Sequence, residues 1–180
     1  MMTKQLFFLA FAASLFLSVT DSVAQFSIGG ELGLPAGNFS NSSSVGIGAS
    51  LRYEASLAEN LNWTASAGFL VFGGKTYLGG SYGNFSIIPL VGGVKYYFVK
   101  TNDGLYAAAD LGLNIVNYST AYPNQGNGNG VTFGSASTAR IGFAPGIGYR
   151  LGSWDFTGRI NFMADFSYLG AHAAYVFGSK

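Results

Sequence analysis

The chain has no cysteine, one histidine, four prolines and only 9% charged residues among 180 positions. Without cysteine there are no disulfides, no thiol chemistry and no sulfur-ligated metal. A lone His172 removes histidine-cluster metal sites as well. No metal or cofactor is therefore expected. A net charge of +1 offers nothing to nucleic acid, and no nucleic-acid partner is expected. Ordinary soluble domains carry roughly 25% charged residues, so a surface coated with charge is out of reach here. Long hydrophobic runs are missing too. The longest, residues 6–19, is 14 residues, short of the roughly 20 that a helix needs to span a bilayer.

That run follows Lys4 and precedes the small-x-small site Ser22-Val23-Ala24, the layout of a secretory signal peptide. Cleavage is expected before Gln25. Residues 1–24 are then a removed leader, and residues 25–180 form one domain of 156 residues. No cysteine follows the run to carry a lipid anchor.

What the chain does have is alternation of unusual polarity. From Arg140 to Arg150, one parity reads Ile141, Phe143, Pro145, Ile147, Tyr149, and the other is small or charged. Such segments recur between clusters of Gly, Asn and Ser, and helical periodicity is hard to find. Eight strands are predicted, at 26–35, 44–55, 61–72, 84–98, 105–117, 133–151, 154–163 and 167–177. Turns after the even strands are short. The first three connections after odd strands, residues 36–43, 73–83 and 118–132, are longer and polar. The predicted fold is an all-β, eight-stranded, antiparallel, up-and-down transmembrane barrel with lipid outside. Pro89 and Pro145 fall within predicted strands, where bulges or bends are expected.

The apolar parity supplies lipid-facing candidates such as Ile28, Leu32, Ile47, Leu51, Phe69, Leu111 and Leu113. Aromatic residues gather toward one end: Phe26, Tyr53, Trp63, Tyr96, Phe98, Tyr149, Phe156, Tyr175 and Phe177. Rings at that level form an interface girdle. The opposite parity holds Glu31, Arg52, Glu54, Lys95, Asp110, Arg140, Arg150, Arg159 and His172, interleaved with glycines. An eight-stranded barrel is just wide enough for its own side chains. Charges within it must pair, because a stranded one costs several kcal/mol. The expected result is a salt-bridged plug. A switchable constriction passing small solutes is the alternative.

In this pattern the chain resembles the small outer-membrane β-barrel proteins of the OmpA transmembrane-domain and OmpX type, over nearly the whole mature length. Tyr175-Val176-Phe177 resembles the family's terminal aromatic signal, although Gly178-Ser179-Lys180 follow it and His172 stands where that signal often has Gly. The resemblance implies location in the cell outer membrane, periplasmic termini, outer-membrane lipid as surroundings and the barrel-insertion machinery as a partner in biogenesis. The expected function is non-enzymatic: envelope structure, or surface contact through outer loops. Residues 118–132, with an Asn/Gly-rich centre flanked by Tyr118, Tyr122 and Phe133, are the candidate site for a surface ligand. A lipid-active enzyme is disfavoured because Ala174, not Ser, lies two residues beyond His172. Gly73-Gly74-Lys75-Thr76 lacks the first glycine of a phosphate-binding loop, since Phe69 occupies that place. A soluble exported sandwich or lipocalin-like barrel would need the opposite polarity.

Overall fold

In the computed structural model, residues 24–77, 80–123 and 131–178 are described. The expected leader lies outside them, apart from Ala24. The elements are β1 (Gln25–Pro35), α1 (Phe39–Ser42), β2 (Ser43–Ala58), β3 (Leu61–Gly74), β4 (Thr76–Tyr77), β5 (Gly80–Tyr97), β6 (Gly104–Pro123), β7 (Val131–Leu151), β8 (Trp154–Met163) and β9 (Tyr168–Phe177). β4 is a two-residue pairing on the start of β5. The other eight strands pair antiparallel in the order β3-β2-β1-β9-β8-β7-β6-β5, and a β3–β5 ladder joins the two ends. The fold is thus a closed eight-stranded barrel with no free edge along its common length.

Closure follows from the period-two pattern. Every Lys, Arg, Asp and Glu within a strand is buried or half-buried, whereas the alternate positions expose Ile28, Ile47, Leu51, Leu111, Leu113 and Ile147. A one-residue slip of any strand would exchange these faces, so the polarity itself holds the register. Cross-strand neighbours agree: Ile28 opposes Leu51 on one side and Tyr175 on the other.

At the two prolines the register carries no bulge. The β3–β5 register is the same on both sides of Pro89, and the β7–β8 register is the same on both sides of Pro145. Neither is a bulge. In each ladder the two missing pairs are those that would use the proline's absent N–H: Gly68 with Pro89 and Phe69 with Ile88, then Pro145 with Ile160 and Ala144 with Asn161. On the other side both prolines stay paired, with Asn114 and Ala109. One lost hydrogen bond costs about 1 kcal/mol, too little to make the strand slip.

Strands also run further than their side chains suggest. β5 starts at Gly80, β6 continues to Pro123 and β7 begins at Val131. The expected loop 118–132 therefore shrinks to residues 124–130, which lie outside the described residues. Main-chain pairing from Tyr118↔Ala136 to Pro123↔Val131 carries the sheet through a segment with no apolar alternation. At the other end the connections are tight. Asp103 ties two of them together by accepting from the N–H groups of Gly104 (3.0 Å) and Gly152 (3.2 Å).

Candidate functional site

The interior is filled in three levels. Nearest the termini, Lys95 is 1% exposed and donates from Nζ to Glu54 Oε2 at 2.8 Å and to Asp155. Its ammonium also lies 4.6 Å from the Tyr106 ring centre. Glu54 Oε1 accepts from Asn62 Nδ2 at 2.7 Å and from Tyr97 OH at 2.9 Å, with Arg150 at 4.0 Å. Asp155 accepts from Tyr106 OH and from Thr157 Oγ1. Each buried carboxylate thus has a cation and neutral donors, which is what burial of a charge requires.

At mid-height Arg159 bridges Glu31 and Asp110, and Arg52 lies 3.5 Å from Asp110. The four carboxylates Glu31, Glu54, Asp110 and Asp155 face four cations, Arg52, Lys95, Arg150 and Arg159, so the two levels balance. Glycines opposite them make the room. A Cβ at Gly93 would collide with Asp110, and one at Gly148 with the Tyr106 ring. Arg140 faces inward but has no ion pair or hydrogen bond among the described residues, and its Nε is buried without a partner.

His172 Nε2 lies 3.1 Å from Ser50 Oγ. A serine beside a histidine is the start of a nucleophilic pair, and here β2 supplies it rather than the neighbouring sequence. The adjacent cavity, bordered by Ser50, Glu31, Asp110, Arg159 and Tyr168, measures only ≈ 20 Å³. That is about one water molecule. Inside the barrel the pair has no room for a substrate, and the larger groove that His172 also borders, ≈ 670 Å³, lies open among the outward residues Leu32, Ile47 and Phe156.

The third level is apolar. Phe39 of α1, Leu70 and Phe72 of β3, Phe85 and Ile87 of β5, Val116 of β6, Met163 of β8 and Tyr168 of β9 form one buried cluster. The Phe39 ring stands edge-on to Phe72 at 5.1 Å, Phe85 at 5.4 Å and Phe166 at 5.6 Å. Lys75 holds α1 over the opening, donating from Nζ to Ser40 O at 2.7 Å and from its main-chain N–H to Ser42 O at 3.0 Å. The expected charged plug is therefore only the lower part of the filling.

Outside, the expected aromatic residues lie at the end carrying the termini and the tight turns. Phe26, Tyr53 and Trp63 meet at 5.1 Å spacings, as do Tyr175 and Phe177. Tyr96 contacts Phe98 at 5.8 Å, and Tyr149 pairs across the sheet with Phe156. Trp154 joins them, 5.6 Å from Tyr175.

Several interior residues escaped the sequence reading: Asp155, Tyr97, Tyr106, Thr157 and Ser50, and the apolar cap. The signal for Asp155 was present. With Trp154 and Phe156 outside, parity puts Asp155 and Thr157 inside. Leu70, Phe72, Phe85 and Ile87 likewise stand on the inward parity of their strands.

A closed eight-stranded barrel with a polar interior and an apolar exterior is the architecture of small outer-membrane barrel proteins. Among solved structures the chain is similar to Ail, the attachment invasion locus protein of Yersinia pestis, solved with the heparin analogue sucrose octasulfate. The identity is 11% and the TM-score 0.59, covering 88% of this chain and 100% of that one. It is also similar to the N-terminal β-barrel domain of Pseudomonas aeruginosa OprF, at 11% identity and a TM-score of 0.55, covering 85% and 97%. No family model and no curated protein matches.

Proposed function

We propose that this chain is an exported, non-enzymatic protein of the cell outer membrane, a closed anchor that makes surface contacts at its outer end. Residues 1–24 act as the cleaved leader and residues 25–180 as the barrel domain. The inward charges serve as a structural network that holds the register. The aromatic residues near the termini form the girdle at the periplasmic interface, and Tyr175-Val176-Phe177 is the segment that the insertion machinery reads. Export is tested by the mature N-terminus, which should be Gln25.

The observation that carries the contact role is the open rim. The β7–β8 ladder ends at Gly142↔Met163, whereas β7 continues upward to Val131 with β6 as its only strand partner among the described residues. The pairs lost at Pro145 mean that odd residues of β7 direct their main-chain groups toward the β8 side. By the same period, Ser135, Ser137 and Ala139 direct their main-chain groups there, beyond the last pair of the β7–β8 ladder. An open strand edge is a template for an added strand, so the expected partner offers an extended segment.

The closed interior disfavours the pore. Its test is conductance of the mature protein, refolded in detergent, verified by a heat-dependent gel shift and inserted into planar bilayers. Silent, folded barrels are expected. Steady openings would replace the anchor with a solute channel.

A further inference from the structure

The two ends of the barrel's outward surface have different chemistry. Every outward tyrosine and tryptophan among the described side chains lies at the end bearing the termini: Tyr53, Trp63, Tyr96, Tyr149, Trp154 and Tyr175. At the other end the apolar face stops at Ile88, Ile115 and Ala139. One step further along each strand on that same face come Ser86, Asn117 and Ser137. These three are direct neighbours in a single row, Ser86↔Asn117↔Ser137. Asn84 and Ser135 stand beyond them, both exposed.

This row is built rather than loose. Asn117 Nδ2 donates to Ser86 Oγ at 3.4 Å. Behind it, Phe85 stacks with Tyr118 at 5.9 Å, and Val116 is fully buried in the cap. A groove of ≈ 500 Å³ runs over the row, and its lining contains no Asp, Glu, Lys, Arg or His. Hydroxyl and amide groups without charge do not complement a phosphate, which calls for Arg or Lys. They complement neutral, hydroxyl-rich groups. Successive outward rows are about 7 Å apart along a strand. A lipid whose chains lie against Ile88, Ile115 and Ile141 thus brings its first sugars level with Ser86, Asn117 and Ser137.

We propose that the outward face of β5, β6 and β7 at this end binds the sugar headgroup of glycolipids in the surrounding leaflet. The inference rests on the membrane reading above, and the test separates the two. The mature chain is refolded in detergent and in phosphatidylethanolamine/phosphatidylglycerol vesicles, and folding is scored by the heat-dependent gel shift. Failure to fold in either medium overturns both readings. An uncharged glycolipid, diglucosyl diacylglycerol, is then added, with its free headgroup saccharide as a separate arm. The glycolipid should raise the unfolding midpoint by several degrees. The variant Ser86→Val/Asn117→Leu/Ser137→Val should lose that increment and bind the glycolipid at least tenfold more weakly, with its midpoint in phospholipid unchanged. Ser86→Ala/Ser137→Ala, a milder change, should lose part of the increment. Equal increments in wild type and both variants overturn the proposal and leave the barrel in place. A full increment from the free saccharide overturns the membrane source and points to a soluble glycan.

Discussion

Replacing Lys95 by methionine should destabilise the barrel far more than removing an exposed ion pair. The side chain is 1% exposed and serves Glu54 and Asp155 together. Methionine fills much of the space but leaves two buried carboxylates facing each other without their shared cation. Breaking one buried pair from one side costs about 3–5 kcal/mol. Neutral donors remain, Asn62 and Tyr97 on Glu54 and Tyr106 and Thr157 on Asp155, so the lower half of that range is expected. Lys100→Met provides the control. Its pair with Glu59 is 3.0 Å long, but the two side chains are 71% and 67% exposed. Solvent screening leaves such a pair worth about 0–1 kcal/mol. The triple variant Lys95→Met/Glu54→Gln/Asp155→Asn should recover most of the loss, because no charge is stranded. The assay is a urea titration in lipid vesicles, with the folded fraction read by gel shift. The reasoning fails if Lys95→Met lies within 1 kcal/mol of wild type, or if neutralising the carboxylates brings no recovery.

Phe39→Ala should cost about 3–5 kcal/mol, as for a buried phenylalanine, and should leave bilayers silent because the charged levels remain beneath the cap; conductance in this variant would place the seal in the cap alone. Leu111→Arg, on the outward face beside the middle level, should cost about 2–4 kcal/mol in vesicles, measured by the same titration, and a neutral outcome would argue against lipid contact there. Pro145→Ala restores a donor toward Ile160 and should raise stability by up to about 1 kcal/mol, with new amide protection at residue 145; a loss of stability would mean that the gap relieves strain elsewhere.

The barrel was legible in the chain because a strand's side chains alternate strictly. With most charges on one parity and Leu, Ile and Phe on the other, only one face could meet lipid, and the eight-strand count followed from the turns. The outer rim was less legible. From Tyr118 to Pro123 the side chains carry no alternation, and the strand persists there because its main chain has a partner in β7. The cap was missed for a related reason: Phe39 sits in a Ser/Asn-rich connection, and its burial depends on Phe72, Phe85 and Phe166 from distant segments. At Pro89 and Pro145 the expectation of bulges overestimated the effect of one missing donor. In the charge network, residue types indicated which groups stood inside, but pairing depended on height along the barrel. Arg140 shares the inward parity and finds no carboxylate, whereas Asp155 completes the Lys95 cluster.

The polarity of the wall is the central claim, and the absence of cysteine makes it directly measurable. Single cysteines placed at each position from 105 to 117 along β6, spin-labelled in the refolded, vesicle-inserted protein, report contact with lipid-soluble oxygen and with a water-soluble relaxant. The account predicts a period of two: oxygen contact at Ala107, Ala109, Leu111 and Leu113, and shielding at Ala108, Asp110, Gly112 and Asn114. Water contact at the first set, with no oxygen preference, would contradict it and leave a soluble barrel.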